Sequence, residues 1–116
     1  MDPVWFAVAI GIAVTMWLFL RGGASAEDVL AALESGAPLL DVRTPGEFAT
    51  GHAKGAVNIP LDQLSGRIEE LGEPGTIVIY CQSGMRSGRA SSVLKGAGFE
   101  VLDAKRLGAI PAKFRA

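Results

Sequence analysis

One short run of the chain holds the parts needed for thiol chemistry: Cys81-Gln82-Ser83-Gly84-Met85-Arg86-Ser87. A loop that curls over a helix N-terminus points several backbone N–H groups into one concavity, and the helix dipole adds to their attraction for an anion. A cysteine there has its pKa lowered and becomes a nucleophile near neutral pH. Gly84 lets the backbone take a positive φ or approach a ligand closely, and Arg86 supplies a permanent charge suited to an oxyanion. The expected reaction follows from these parts. The Cys81 thiolate attacks the outer sulfur of a small anionic donor such as a thiosulfonate. The segment Gln82, Ser83, Gly84, Met85, Arg86 and Ser87 binds the substrate and the departing anion, and a persulfide stays on Cys81. A thiol, cyanide or a protein then collects the sulfur. The scheme needs no metal and no organic cofactor. Cys81 is the only cysteine and His52 the only histidine, so neither an intramolecular disulfide nor a Cys/His zinc site is available.

The surrounding elements must place this run. The chain has 116 residues, 49% of them hydrophobic, with Gly 15 and Pro 6, which suits one compact domain. A net charge of -1 with scattered signs offers nucleic acid no basic stripe. Ser25, followed by Glu27 and Asp28, reads as the N-cap of a helix carrying Val29, Leu30 and Leu33 and ending at Gly36. Leu39-Leu40-Asp41-Val42 reads as a short buried strand, and Ala56-Val57-Asn58-Ile59 as another, stopped by Pro60. Leu61, Leu64, Ile68 and Leu71 mark one helix ending near Gly72. Thr76-Ile77-Val78-Ile79-Tyr80 is the clearest strand, apolar enough for burial on both faces, and runs straight into Cys81. Ser87 to Ala97 reads as a helix with Ala90, Val93, Leu94 and Ala97 on one face, and Glu100-Val101-Leu102-Asp103 as the last strand. Strands separated by helices predict an α/β fold with a parallel sheet covered on both faces. Ligand sites in such sheets lie beyond the carboxyl ends of the strands, where Cys81 stands.

The N-terminal segment has a different character. From Pro3 to Leu20 no residue is charged. The run reaches the lower end of the roughly 17–25 residues that cross a bilayer, with Trp5 and Trp17 near its ends. We expect residues 1–21 to form a single-pass transmembrane helix, in contact with lipid through residues 4–20, ahead of a domain over 22–116. Arg21 places that domain on the cytoplasmic side, and Gly22-Gly23 is a very short hinge. The alternative is an exported chain with a signal peptide cleaved at Ala24-Ser25-Ala26. Asp2 in the n-region and Arg21 beyond the apolar run reverse the secretory pattern.

The motifs Asp41-Val42-Arg43, Glu47-Phe48, Gly51-His52, Gly55-Ala56, Asn58-Ile59-Pro60 and Tyr80-Cys81-Gln82-Ser83-Gly84-Met85-Arg86-Ser87 resemble, in order and spacing, the rhodanese homology domain of thiosulfate sulfurtransferases. The resemblance implies an open, five-stranded parallel sheet with helices on both faces, a persulfide-forming cysteine at Cys81 and an active loop from Cys81 to Arg86. Cysteine-dependent phosphatases place five residues between nucleophile and arginine. Here four intervene, a smaller ring that favours sulfur over phosphorus. Many members carry a Gly-Gly pair and a later tryptophan near the C-terminus. In Arg106-Leu107-Gly108-Ala109-Ile110-Pro111 only Gly108 matches that pattern.

Other readings apply to the remaining residues. Asp41 and Arg43 end a strand on the Cys81 side of the sheet and are expected to support the loop rather than react. His52 is read as part of a turn, because the loop amides already supply activation. Arg89, Asp62, Glu69, Glu70 and Glu73 read as solvated surface. The alternative function is a non-catalytic or redox-sensing interaction module of the same fold at the membrane. Retention of Cys81, Gly84 and Arg86 favours the enzyme.

Overall fold

A computed structural model of the protein describes residues 24–115. The expected membrane helix, with its lipid-contacting residues 4–20, lies outside the described residues. Among the described residues no helix is long and apolar enough to cross a membrane.

The chain opens with α1 (Ala26–Glu34), and Ser25 is its N-cap as expected, accepting the Asp28 N–H on Oγ at 3.1 Å. Then follow β1 (Leu39–Asp41), α2 (Pro45–Thr50), β2 (Val57–Asn58), α3 (Leu61–Leu64), β3 (Thr76–Cys81), α4 (Met85–Gly96) and β4 (Glu100–Arg106). A 3-10 turn at Ile68–Leu71 precedes β3, and two more at Leu107–Ala109 and Ala112–Phe114 follow β4. The sheet is parallel throughout, in the order β2-β1-β3-β4.

β3 is buried from Ile77 to Cys81, as its unbroken apolar run requires. Its side chains alternate between two cores. Ile77, Ile79 and Cys81 face Leu40, Leu64, Ala90, Leu94 and Phe99, under α3 and α4. Val78 and Tyr80 face Val29, Leu33, Ala104 and Ile110, under α1 and the C-terminal turns. A strand clamped on both sides cannot slip register without moving two cores, and Cys81 is its last residue.

Two expectations need correction. The resemblance implied five strands, whereas four form among the described residues. On the open side of β4 one backbone bond, Ala24 N–H to Asp103 O at 3.3 Å, stands in place of a ladder. The single helix expected over Leu61 to Leu71 is split into α3 and the 3-10 turn. Ser65-Gly66 falls between them, and the N–H groups of Gly66 and Arg67 reach back three residues to Gln63 and Leu64. Conversely, α2 was not anticipated, although Thr44 and Glu47 form a complete capping box with Pro45 in its first turn.

Tyr80 connects β3 to the turn before β2. Its hydroxyl accepts the Ala53 N–H at 3.0 Å, and burial, aided by Asp41, pushes the phenol up to about 12. Tyr80→Phe strands a buried donor and is expected to cost ~1–3 kcal/mol. Urea unfolding should show a lower midpoint with an unchanged slope, and an unchanged midpoint would refute this role.

Candidate active site

Cys81 ends β3, and α4 begins four residues later. Gly84 is the left-handed N-cap of α4, with φ 97°. A Cβ on Gly84 would also lie 3.2 Å from Lys105 Cβ, so both the backbone and the available space call for glycine. The Gly84 N–H points at Cys81 Sγ, 3.0 Å away. Burial pushes the Cys81 thiol up. The Ser87 hydroxyl and the N–H groups of Ser87, Gly84 and Ser83 outweigh it, and the net position is below the usual cysteine value. The Ser87 hydroxyl has one proton to place. It lies on Gly84 O at 3.2 Å and turns toward sulfur once Sγ carries charge. Lys105 O, 3.4 Å from Sγ, accepts the thiol proton in the neutral form. The loop is thus built to hold an anion on sulfur.

The rest of the expected site divides into three groups. Ser83, Gly84 and Ser87 surround Sγ. Gln82 and Met85 are exposed, Met85 by 72%. Arg86 turns to Glu47, its Nη1 and Nη2 donating to the two carboxylate oxygens at 2.6 and 2.9 Å. That pair, helped by the Thr44 cap, holds the Glu47 carboxyl down at about 2.

Asp41 and Arg43 lie deeper. The Arg43 Nε and Nη2 groups donate to Asp41 at 2.7–3.0 Å, both side chains are buried, and Nη2 also donates to Gly51 O at 2.6 Å. The guanidinium lies 5.5 Å from the Tyr80 ring centroid. Asn58 Nδ2 donates to the carbonyls of Asp41 and Arg43. This network ties the ends of β1, β2 and β3 together without touching Sγ. His52 stacks on Phe48 with centroids 3.7 Å apart and gives its Nδ1–H to Phe48 O at 2.9 Å, an anchored turn residue.

Sequence reasoning assigned no role to Glu47 or Lys105. Glu47 stood within a quoted motif, but nothing local links it to Arg86. Lys105 has φ 73°, the one positive value among the described non-glycine residues. The β3–β4 register shifts there, from Ile79↔Asp103 to Tyr80↔Lys105, and Asp103 Oδ1 accepts the Lys105 N–H at 2.8 Å. The left-handed backbone of this segment therefore falls on Lys105. Gly108, expected to be the remnant of a glycine pair, has no positive φ.

The rhodanese-like domain family matches residues 25–105. The chain belongs to that family. "Thiosulfate sulfurtransferase 16, chloroplastic" of Arabidopsis thaliana is 40% identical over 89 residues, covering 64% of this chain and 69% of that protein. "Uncharacterized protein YqhL" of Bacillus subtilis is 48% identical over 62 residues, 53% of this chain, and the match spans about half of that protein, 49%. Among solved structures, "rhodanese with anions from E. coli" aligns with a TM-score of 0.60 at 32% identity, over 66% of this chain and 95% of that one. The rhodanese-like domain thus has sulfurtransferases among its relatives and Cys81 at the head of its strand-to-helix loop.

Ser87→Ala removes the one side-chain donor that lowers the Cys81 thiol. Loss of thiolate stabilisation raises a thiol pKa, so the midpoint of the pH–rate profile for iodoacetamide alkylation should move up. A profile superimposable on that of the unaltered protein would show that Ser87 does not act on sulfur.

Proposed function

We propose that this rhodanese-like domain is a sulfurtransferase that moves sulfane sulfur from a thiosulfate-like donor to a thiophilic acceptor through a persulfide on Cys81. The observation that carries this reading is the convergence of the Ser83, Gly84 and Ser87 N–H groups and the Ser87 hydroxyl on one buried sulfur.

In the first half-reaction the thiolate attacks the outer sulfur of thiosulfate. The Cys81 Sγ–S bond forms, the donor S–S bond breaks, and its electron pair leaves with sulfite. The terminal sulfur of the persulfide is then an anion, and the loop amides that held the thiolate are placed to hold it. In the second half-reaction an acceptor nucleophile attacks that outer sulfur and Cys81 leaves as thiolate. Since the loop already stabilises that thiolate, it is a good leaving group. Arg86 enters as an ion pair with Glu47 and not as a bare cation, so the fixed amide dipoles carry most of the anion's stabilisation. The four residues between Cys81 and Arg86 keep the ring small, which supports sulfur rather than phosphorus as the atom transferred.

The full chain, kept in mild detergent on account of its apolar residues 4–20, should turn thiosulfate and cyanide into thiocyanate and sulfite. Cys81→Ser should form none. No thiocyanate from the folded chain, or equal amounts from Cys81→Ser, would overturn the proposal.

A further inference from the structure

Arg86, the cation expected to meet a substrate at the active loop, is held by both carboxylate oxygens of Glu47. Two guanidiniums with no carboxylate partner among the described residues, Arg106 and Arg115, line a neighbouring cavity of about 430 Å³, whose wall includes neither Cys81 nor the donors around its sulfur. Lys105 differs from all three. Its carbonyl oxygen lies 3.4 Å from Cys81 Sγ. Its side chain runs along Gly84, the residue whose N–H meets Sγ at 3.0 Å. Lys105 Cβ, Cγ and Cδ are 3.2, 3.5 and 3.6 Å from the position that a Cβ on Gly84 would take. One residue therefore touches the nucleophile with its backbone and the loop with its stem.

This placement depends on an unusual backbone. Lys105 has φ 73°, a left-handed value that residues with a Cβ rarely take and that glycine would take more readily. The register shift between β3 and β4, and the bond from the Lys105 N–H to Asp103 Oδ1 at 2.8 Å, hold it there. A strained conformation at a reactive atom points to a use for the side chain that it carries. Lys105 is exposed, and among the described residues no carboxylate pairs with its ammonium. That ammonium is two bonds beyond Cδ, at the end of a stem that starts near Sγ and passes over Gly84. It is the unpaired cation that the structure attaches directly to the loop.

An oxyanion donor must bring its outer sulfur to Sγ and its negative end to a cation other than the paired Arg86. We propose that Lys105 sets the preference of Cys81 for anionic substrates, its ammonium pairing with the oxyanion end of the donor while the outer sulfur meets Sγ. The inference rests on the persulfide reading above for the identity of the donor, but not for the charge preference. In the transfer the Sγ–S bond forms, the donor S–S bond breaks, and its electron pair leaves on sulfite. The ammonium stays beside the charge as it moves to the leaving group. A strongly hydrated point charge on a flexible stem then releases sulfite to solvent, where a bidentate guanidinium would hold it more firmly. The same ammonium favours any small electrophile that carries an anionic group one bond from the atom attacked.

The test uses the full chain and two alkylating agents that differ in charge, iodoacetate and iodoacetamide. With either, the Cys81 thiolate forms an S–C bond, the C–I bond breaks, and iodide leaves with the electron pair. The readout is the ratio of their second-order rate constants, in which any change in the thiol's own ionisation cancels. Lys105→Met keeps the stem over Gly84 and removes the charge, and the iodoacetate-to-iodoacetamide ratio should fall about threefold or more. Lys105→Arg should restore it. Lys105→Gly suits the left-handed backbone, removes stem and charge together, and should match Lys105→Met. Lys95→Met, in the last turn of α4, makes the same change in net charge far from the loop and should leave the ratio unaltered. An unchanged ratio in Lys105→Met and Lys105→Gly, or an equal fall in Lys95→Met, would overturn the proposal. Persulfide formation from thiosulfate, followed as the mass gain of one sulfur, should slow in Lys105→Met by at least the same factor, and an unchanged rate would contradict the pairing with the donor. If Cys81 takes up no sulfur while the alkylation ratio falls as stated, the sulfurtransferase reading fails and the charge preference set by Lys105 stands.

Discussion

Charge on a buried sulfur atom governs the architecture of this domain. Cys81 closes a strand sealed on both faces, so ionising it carries a desolvation cost that the fold must offset locally. A cation directly beside Sγ would neutralise it, but would also hold an anionic product in place. The structure uses fixed dipoles instead. The N–H groups of Ser83, Gly84 and Ser87 need no rearrangement when charge appears on Sγ, and the Ser87 hydroxyl has only to turn its proton from Gly84 O. This arrangement explains the left-handed Gly84 and the stem of Lys105 that lies over it. It also explains the two-sided burial of β3, which keeps Sγ in register with donors supplied by another element.

The full charges near the loop are mostly spent on one another. Arg86 is held by Glu47, and Arg43 by Asp41. The second pair is buried and chiefly positions the ends of three strands. A pair of this kind is weak evidence for net stability but constrains geometry strongly, because removing either partner leaves an uncompensated buried charge. Arg106 and Arg115, which have no carboxylate partner among the described residues, stand to one side of Cys81 on the wall of the neighbouring cavity.

Much of this was legible in the sequence because it is written in local spacing. The Ser25 cap, the apolar run of β3 and the loop from Cys81 to Ser87 each lie within one window, and the structure has them where the pattern places them. The α/β class followed from their alternation. Other features depend on contacts between distant segments. Glu47 and Arg86 lie 39 residues apart, so no local pattern pairs them. Lys105 adopts a left-handed backbone that its side chain disfavours, and only the register shift against β3 accounts for it. Arg115 reaches the cavity through a bridge to Ala53, 62 positions away in the chain. The helix expected over Leu61 to Leu71 had the right apolar spacing. Ser65-Gly66 breaks it, because the N–H groups of Gly66 and Arg67 turn to i−3 carbonyls.

The central claim is that Cys81 carries sulfur covalently, and intact-protein mass spectrometry tests it most directly. The full chain is treated with thiosulfate, freed of excess donor, and compared with Cys81→Ser treated in the same way. The account predicts a gain of one sulfur atom that cyanide removes and that the variant never shows. A folded protein whose Cys81 alkylates readily, yet gains no sulfur from thiosulfate or other sulfane donors, would contradict it.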